Sequence, residues 1–352
     1  MSPVQPLARP DEAPGLEIAD TLATHEARAA ARRLVAALFD AWDTDDADAL
    51  AALVTDECRW RIDELGEVIG RDAVAERFRA WRRGEPFSVH WATNEQVELV
   101  DGRVVGSWLW LAASSVATTP APTPASTTDT WGGGDVVLEI ALVEGGWRIA
   151  SFDLTTWFRG PLGEGWRDGD PLAVPLDTTE AEPTASTRRL VPAGPALPVG
   201  APADASEDDR LEALAAESDV RRAVADLLAA TRDADSCPAA PAAFTPDAQW
   251  DSVALDGSTT TVRGAAAIGA ALGDERRRVT GPVRPQAALA VALDGTIAHA
   301  RWRDLWAAEV NGAARWRGHD HAAELHQTED GWRVRRLRRT TLLDAPYDGG
   351  WQ

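Results

Sequence analysis

An aspartate on a helix and a histidine on a strand, Asp43 and His90, are the residues of this sequence best suited to move a proton. Leu34, Val35, Leu38, Phe39 and Trp42 fall on one helix face, and Asp43 continues the row of Val35 and Phe39 at a spacing of four. That row turns a carboxylate inward, where an unpaired charge is costly and an imidazole is a good partner. Around His90 the stretch Phe87-Ser88-Val89-His90-Trp91-Ala92-Thr93-Asn94 alternates. Phe87, Val89 and Trp91 share one strand face, and Ser88, His90, Ala92 and Asn94 share the other. If the two elements meet, Asp43 holds one ring N–H of His90 and leaves the second nitrogen to take a proton from a substrate. The competing reading makes Asp43 a cap in Asp43-Thr44-Asp45-Asp46 and His90 a solvated strand residue.

The pattern predicts helices over 27–42, 47–53 and, after the turn at Gly70, 71–82. Strands are expected near 58–62, 87–100, 103–112, 135–143 and 147–158. Residues 1–18 read as a tail rich in Pro, Asp and Glu, and the Pro- and Thr-rich stretch 118–128 as an insertion between strands. The first domain spans 19–170, a Pro/Ala/Thr-rich linker 171–207, and a second domain 208–352.

The second half repeats the first. Phe244-Thr245-Pro246-Asp247-Ala248-Gln249-Trp250 matches 54–60, Arg263-Gly264-Ala265-Ala266-Ala267-Ile268 matches 69–74, and Gly331-Trp332-Arg333-Val334 matches Gly146-Trp147-Arg148-Ile149. In this register Asp233 stands where Asp43 does, and Val283 where His90 does. The second copy therefore keeps the acid and loses the base, and reads as degenerate, a built-in partner packing on the first as a pseudo-dimer. Its own candidates are His321, as a base with Asp233, and the pair His319-x-His321 as metal ligands. No third ligand is evident at convincing spacing, so no metal site is expected. The run Arg333, Arg335, Arg336, Arg338 and Arg339 reads as a solvated strand edge.

The ordered set Phe39-Asp40-Ala41-Trp42-Asp43, Asp56-Glu57-Cys58-Arg59-Trp60, Gly70-Arg71-Asp72-Ala73-Val74, His90-Trp91-Ala92-Thr93-Asn94 and Gly146-Trp147-Arg148-Ile149 resembles the SnoaL-like family of the nuclear transport factor 2-like superfamily. The resemblance implies an α+β fold: two tandem cone-shaped domains, each a curved antiparallel sheet wrapped by about three helices, the cystatin-like roll. It also implies that Asp43 and His90 form the base dyad used by the family's dehydratases and dehydrochlorinase. The dehydratases add a Tyr on the first helix where this chain has Leu38, which speaks against a Tyr-assisted dehydration.

A net charge of −21 argues against nucleic acid or an anionic membrane as partner. The sequence has no lysine, which excludes a lysine Schiff base and a P-loop lysine. Cys58 and Cys237 read as reduced and structural, and the absence of an apolar leader or long apolar run points to the cytoplasm. Sixteen Trp against one Tyr suggest a pocket walled by indoles, with Trp60 and Trp110 as wall and Asn94 or an indole N–H steadying an oxyanion. The expected function is a cofactor-free dehydratase, isomerase or cyclase acting on a hydrophobic polyketide-, steroid- or aromatic-like molecule, and association into a larger homo-oligomer is left open. The alternatives are epoxide opening by Asp43 with Glu64 or Glu67, and a non-catalytic binding module.

Overall fold

The structure, a computed structural model, describes residues 22–63, 65–85, 87–100, 103–117, 127–144, 146–161, 205–232, 237–283, 289–310 and 313–346. The expected tail, most of the insertion, the linker up to residue 204, Glu64 and Asp233 lie outside these residues.

The first unit runs α1 (Leu22–Asp43), α2 (Ala47–Leu53), β1 (Val54–Ile62), β2 (Gly66–Ile69), α3 (Arg71–Gly84), β3 (Phe87–Val100), β4 (Arg103–Ala117), β5 (Thr127–Val143) and β6 (Gly146–Pro161). Its six strands lie in the order β2-β1-β6-β5-β4-β3. All neighbours are antiparallel except β1 and β6, so the sheet is mixed and not purely antiparallel. The apolar row of α1 lies on the inner face: Leu34, Val35, Leu38 and Phe39 join Trp108, Trp110, Val136 and Phe152 in one core. β2 is four residues long and lies below the length at which alternation can be read. β5 begins eight residues before the expected start, since the run Gly132-Gly133-Gly134 that hid it carries no side-chain pattern.

The second unit repeats this plan with α4 (Glu207–Ala230), a 3₁₀ turn (Cys237–Ala243), β7 (Phe244–Val253), β8 (Thr259–Arg263), α5 (Ala265–Arg276), β9 (Val279–Val283), β10 (Ala290–Asp294), β11 (Ile297–Val310), β12 (Ala313–Thr328) and β13 (Gly331–Pro346). Its strand order is β10-β11-β12-β13-β7-β8, with β9 paired to β11 and a parallel β7–β13 pair. Gly70 and Gly264 mark the same joint in both halves: each precedes a helix with positive φ, +100° and +87°, a conformation open to glycine. The arginine run corrects the sequence reading, because β13 lies between β12 and β7 and is not an edge. Arg339 turns inward and clamps Glu275 at 2.8 and 2.9 Å.

The outer faces of the two sheets meet. Phe87, Val89, Trp91 and Ala113 pack with Leu305 and Leu342 in a buried cluster, so the face opposite His90 is an inter-unit face. Salt bridges extend it: Arg33 to Glu217 at 2.9 Å, Arg301 to Asp40 at 2.7 Å, and Arg210 to Glu26. Cys58 and Cys237 are both buried and unbridged. No described helix is long and apolar enough to cross a membrane.

Candidate active site

The last turn of α1 runs alongside the edge strand β3 and brings the two sequence candidates together. His90 Nδ1 lies 2.6 Å from Asp43 Oδ1, and the backbone N–H of His90 donates to Asp43 Oδ2 at 2.8 Å. Ser88, two residues earlier on the same strand face, donates its hydroxyl to Asp43 Oδ1 at 2.9 Å and accepts from Arg82 at 2.8 Å. Asp43 is thus not a helix cap; Asp46 caps α2 by accepting from the backbone N–H of Ala49.

The fourth donor to Asp43 comes from the other unit. Arg303 on β11 places Nη1 2.6 Å from Asp43 Oδ2 and Nη2 3.0 Å from Asp40. Sequence reasoning missed Arg303. The period-two pattern of Arg301-Trp302-Arg303-Asp304-Leu305-Trp306 puts Arg303 on the face of Leu305, but nothing in it names a partner in the first half.

With four donors the carboxylate has its lone pairs filled. Burial pushes the Asp43 carboxyl up, but the His90 imidazole, the Arg303 guanidinium and the hydrogen bonds from His90 outweigh it and hold the group below its ordinary value. An ionised Asp43 makes His90 carry its proton on Nδ1 and leaves Nε2 as the lone-pair nitrogen. Among the described residues no hydrogen bond reaches that Nε2. Asp40, outside the core row, is pushed up by burial against the pull of Arg303 and Arg301.

Aromatic rings enclose the imidazole. Phe39 stacks on it at 5.1 Å, Trp42 lies at 5.3 Å and Trp110 at 6.2 Å. Trp110 is held by its N–H on the Thr155 carbonyl at 3.1 Å. The close approach needs Gly134, where a Cβ would fall 1.9 Å from the Thr155 oxygen. Trp60 lies one ring further out, 6.1 Å from Trp42 and stacked on Phe152 at 3.9 Å. The indole nitrogen of Trp42 is buried and has no hydrogen-bond partner among the described residues. Asn94 is a correction: it sits on the bulge between Thr93 and Gln96 with φ +53°, and it is exposed. Four residues along the strand, roughly 13 Å from His90, it is out of reach of an atom that His90 touches. Trp157, on β6, is 59% exposed and takes no part in the enclosure. Glu67 is exposed and paired with Arg59 at 3.2 Å, and is not among the partners of Asp43.

In the second unit His321 finds an aspartate, but it is Asp304. His321 Nε2 lies 3.0 Å from Asp304 Oδ2, and His319 Nδ1 lies 2.8 Å from Asp304 Oδ1. Trp302, Asp304 and Trp306 share the inner face of β11, a period-two signal that could have identified Asp304 beforehand. Burial pulls the His319 imidazole down to about 4, against the opposing pull of Asp304. A small cavity beside His321 is walled by Leu227, Trp250, Trp302, Arg276 and Arg339.

Residues 23–153 match the model of the SnoaL-like domain. No curated protein matches the chain in sequence. Similar solved structures include hexachlorocyclohexane dehydrochlorinase LinA-type3 from Novosphingobium barchaimii, with 20% identity over 44% of this chain and 100% of that one, at a TM-score of 0.36. An NTF2-like protein with a cystatin-like fold from Novosphingobium aromaticivorans shares 23% identity over 41% and 90%, at 0.32. ActVI-ORFA from Streptomyces coelicolor shares 15% over 37% and 96%, at 0.29. Residues 23–153 are thus SnoaL-like, and the second half of the chain is a tandem unit built on the same α+β plan.

Proposed function

We propose that the first unit is an acid/base enzyme, a dehydratase, isomerase or cyclase, that uses His90 as base on a hydrophobic, flat, carbonyl-bearing molecule of polyketide, steroid or aromatic type. The observation that carries the reading is the 2.6 Å contact between His90 Nδ1 and Asp43 inside an aromatic enclosure. His90 Nε2 takes a proton from the carbon α to the carbonyl. The C–H electron pair then either forms an enolate or expels a leaving group from the β carbon; in both cases the proton rests on the imidazole and is returned from there. In this reading the buried N–H of Trp42, whose ring lies 5.3 Å from that of His90, donates to the negative charge that develops on the carbonyl oxygen. None of these steps calls for a cofactor. The second unit acts as the built-in partner, since it supplies Arg303 to Asp43.

The test is exchange of α-protons for deuterium in a panel of hydrophobic cyclic ketones. Wild type should promote exchange, and His90→Ala should lose about 10²- to 10⁴-fold of the rate. Exchange that is indifferent to His90 sinks the base assignment. Tight ketone binding without exchange supports a binding module instead. Epoxide opening is disfavoured by the four donors that already occupy Asp43 and by the distraction of Glu67 to Arg59.

A further inference from the structure

The pair His319-x-His321 lacks a third ligand in its own strand, and the fold supplies one from the neighbouring strand. We propose that Asp304, His319 and His321 form a binding site for one divalent transition-metal ion of the zinc class, inside the second unit and separate from the His90 site. Asp304 stands directly opposite His319 in the β11–β12 register, and His321 lies two residues further on the same face. The pleat therefore gathers three donor side chains on one patch. One oxygen of Asp304 and one nitrogen from each ring lie within 4.8 Å of one another, and all three residues are buried.

Two imidazoles and one carboxylate are a donor set suited to zinc and its first-row neighbours, with a further position left for water. Bond lengths of about 2.1 Å set tetrahedral ligand atoms roughly 3.4 Å apart, so modest side-chain rotation closes the site. The adjoining cavity of about 20 Å³ holds a water molecule but no organic substrate. Trp302 stacks on His321 at 4.9 Å and Trp306 meets His319 at 5.1 Å, which holds both rings in place. On binding, the ring proton that faces Asp304 moves to the other nitrogen of the same imidazole, so the ion meets a lone pair and no proton is lost. Of the nearby cations, Arg339 is neutralised by Glu275, while Arg276 lies over Trp306 at 3.8 Å and opposes the ion. The site should accordingly bind more weakly than a four-ligand structural zinc site.

The experiment is equilibrium dialysis of the full chain against Zn²⁺, followed by the visible spectrum of the Co²⁺-loaded protein. We expect one ion per chain, affinity reduced at least about tenfold in His319→Ala and in Asp304→Asn, and uptake kept in His90→Ala. Wild-type Co²⁺ protein should show the intense bands of four- or five-coordinate cobalt. Absence of stoichiometric uptake by wild type, or uptake that survives both substitutions, overturns the proposal. So does a weak, six-coordinate cobalt spectrum in wild type, which decides the matter even if the variants fail to fold.

Discussion

Arg303, on a strand of the second unit, lies 2.6 Å from the carboxylate of Asp43, which orients His90 in the first. The Arg303 side chain is 8% exposed and the Asp43 side chain fully buried, so this is an ion pair removed from water. Removing Arg303 leaves the buried Asp43 carboxylate with the hydrogen bonds of Ser88 and His90 but without its guanidinium counter-charge. Arg303→Met should therefore destabilise the chain by about 3 kcal/mol or more. In a double-mutant cycle with Asp43→Asn, urea unfolding should give a coupling of about 1 kcal/mol or more between the two positions. Additive effects would show that the contact carries no energy.

Asp43→Asn also changes which nitrogen of His90 carries the proton. In wild type the Nδ1 proton is held on a buried carboxylate, and it should give a downfield, slowly exchanging NMR signal. The asparagine variant should lose that signal. Its persistence would mean that His90 is oriented by something other than Asp43.

Trp42→Phe keeps an aromatic ring beside His90 and deletes the indole N–H. If that N–H meets the oxyanion, turnover of the ketone probe should fall about 10²-fold, with little change in thermal midpoint because the nitrogen has no partner among the described residues to lose. Unchanged turnover would assign Trp42 to packing alone.

The response to acid follows from Asp43, whose folded value lies below the ordinary 3.8 of the unfolded chain. A depressed carboxyl contributes stability that is present above 3.8 and is lost as the pH falls through the folded value. Asp43→Asn should thus flatten the acid limb of the stability profile below about pH 4. An acid limb of unchanged steepness would locate the responsible carboxyls elsewhere.

Gly134→Ala tests the enclosure from behind. The new methyl would meet the Thr155 oxygen at 1.9 Å, against backbone that cannot yield cheaply. We expect a loss of about 3 kcal/mol and a change in Trp110 fluorescence, because Thr155 is what fixes that indole. A variant as stable as wild type would show that β5 and β6 can separate freely here.

What was legible in the sequence was whatever repeats with a local period. The alternation around His90 gave its strand and face, and the spacing of four from Val35 to Phe39 to Asp43 gave the inward carboxylate. Those two readings suffice to aim both side chains at one point. Contacts between units leave no such trace: Arg303 was assignable to a face but not to Asp43, which lies 260 residues away in sequence. Asp304 fell between these cases. Its face was readable, but its pairing with His319 depends on the register of β11 against β12, which turn geometry and not alternation sets. Asn94 shows the opposite failure, because the bulge at Thr93 breaks the alternation that had placed it beside His90.

The meeting of the two outer faces has a consequence for symmetry. In a dimer of identical subunits any arginine added to one side of the interface appears on both, and each copy must find a carboxylate or remain buried without one. Fusion removes that obligation. β11 carries Arg301 and Arg303, whereas β4 beyond Arg103 has no charged residue at all. A covalently joined pair can therefore specialise one half as chemistry and the other as its electrostatic support, each free to change without its mirror image.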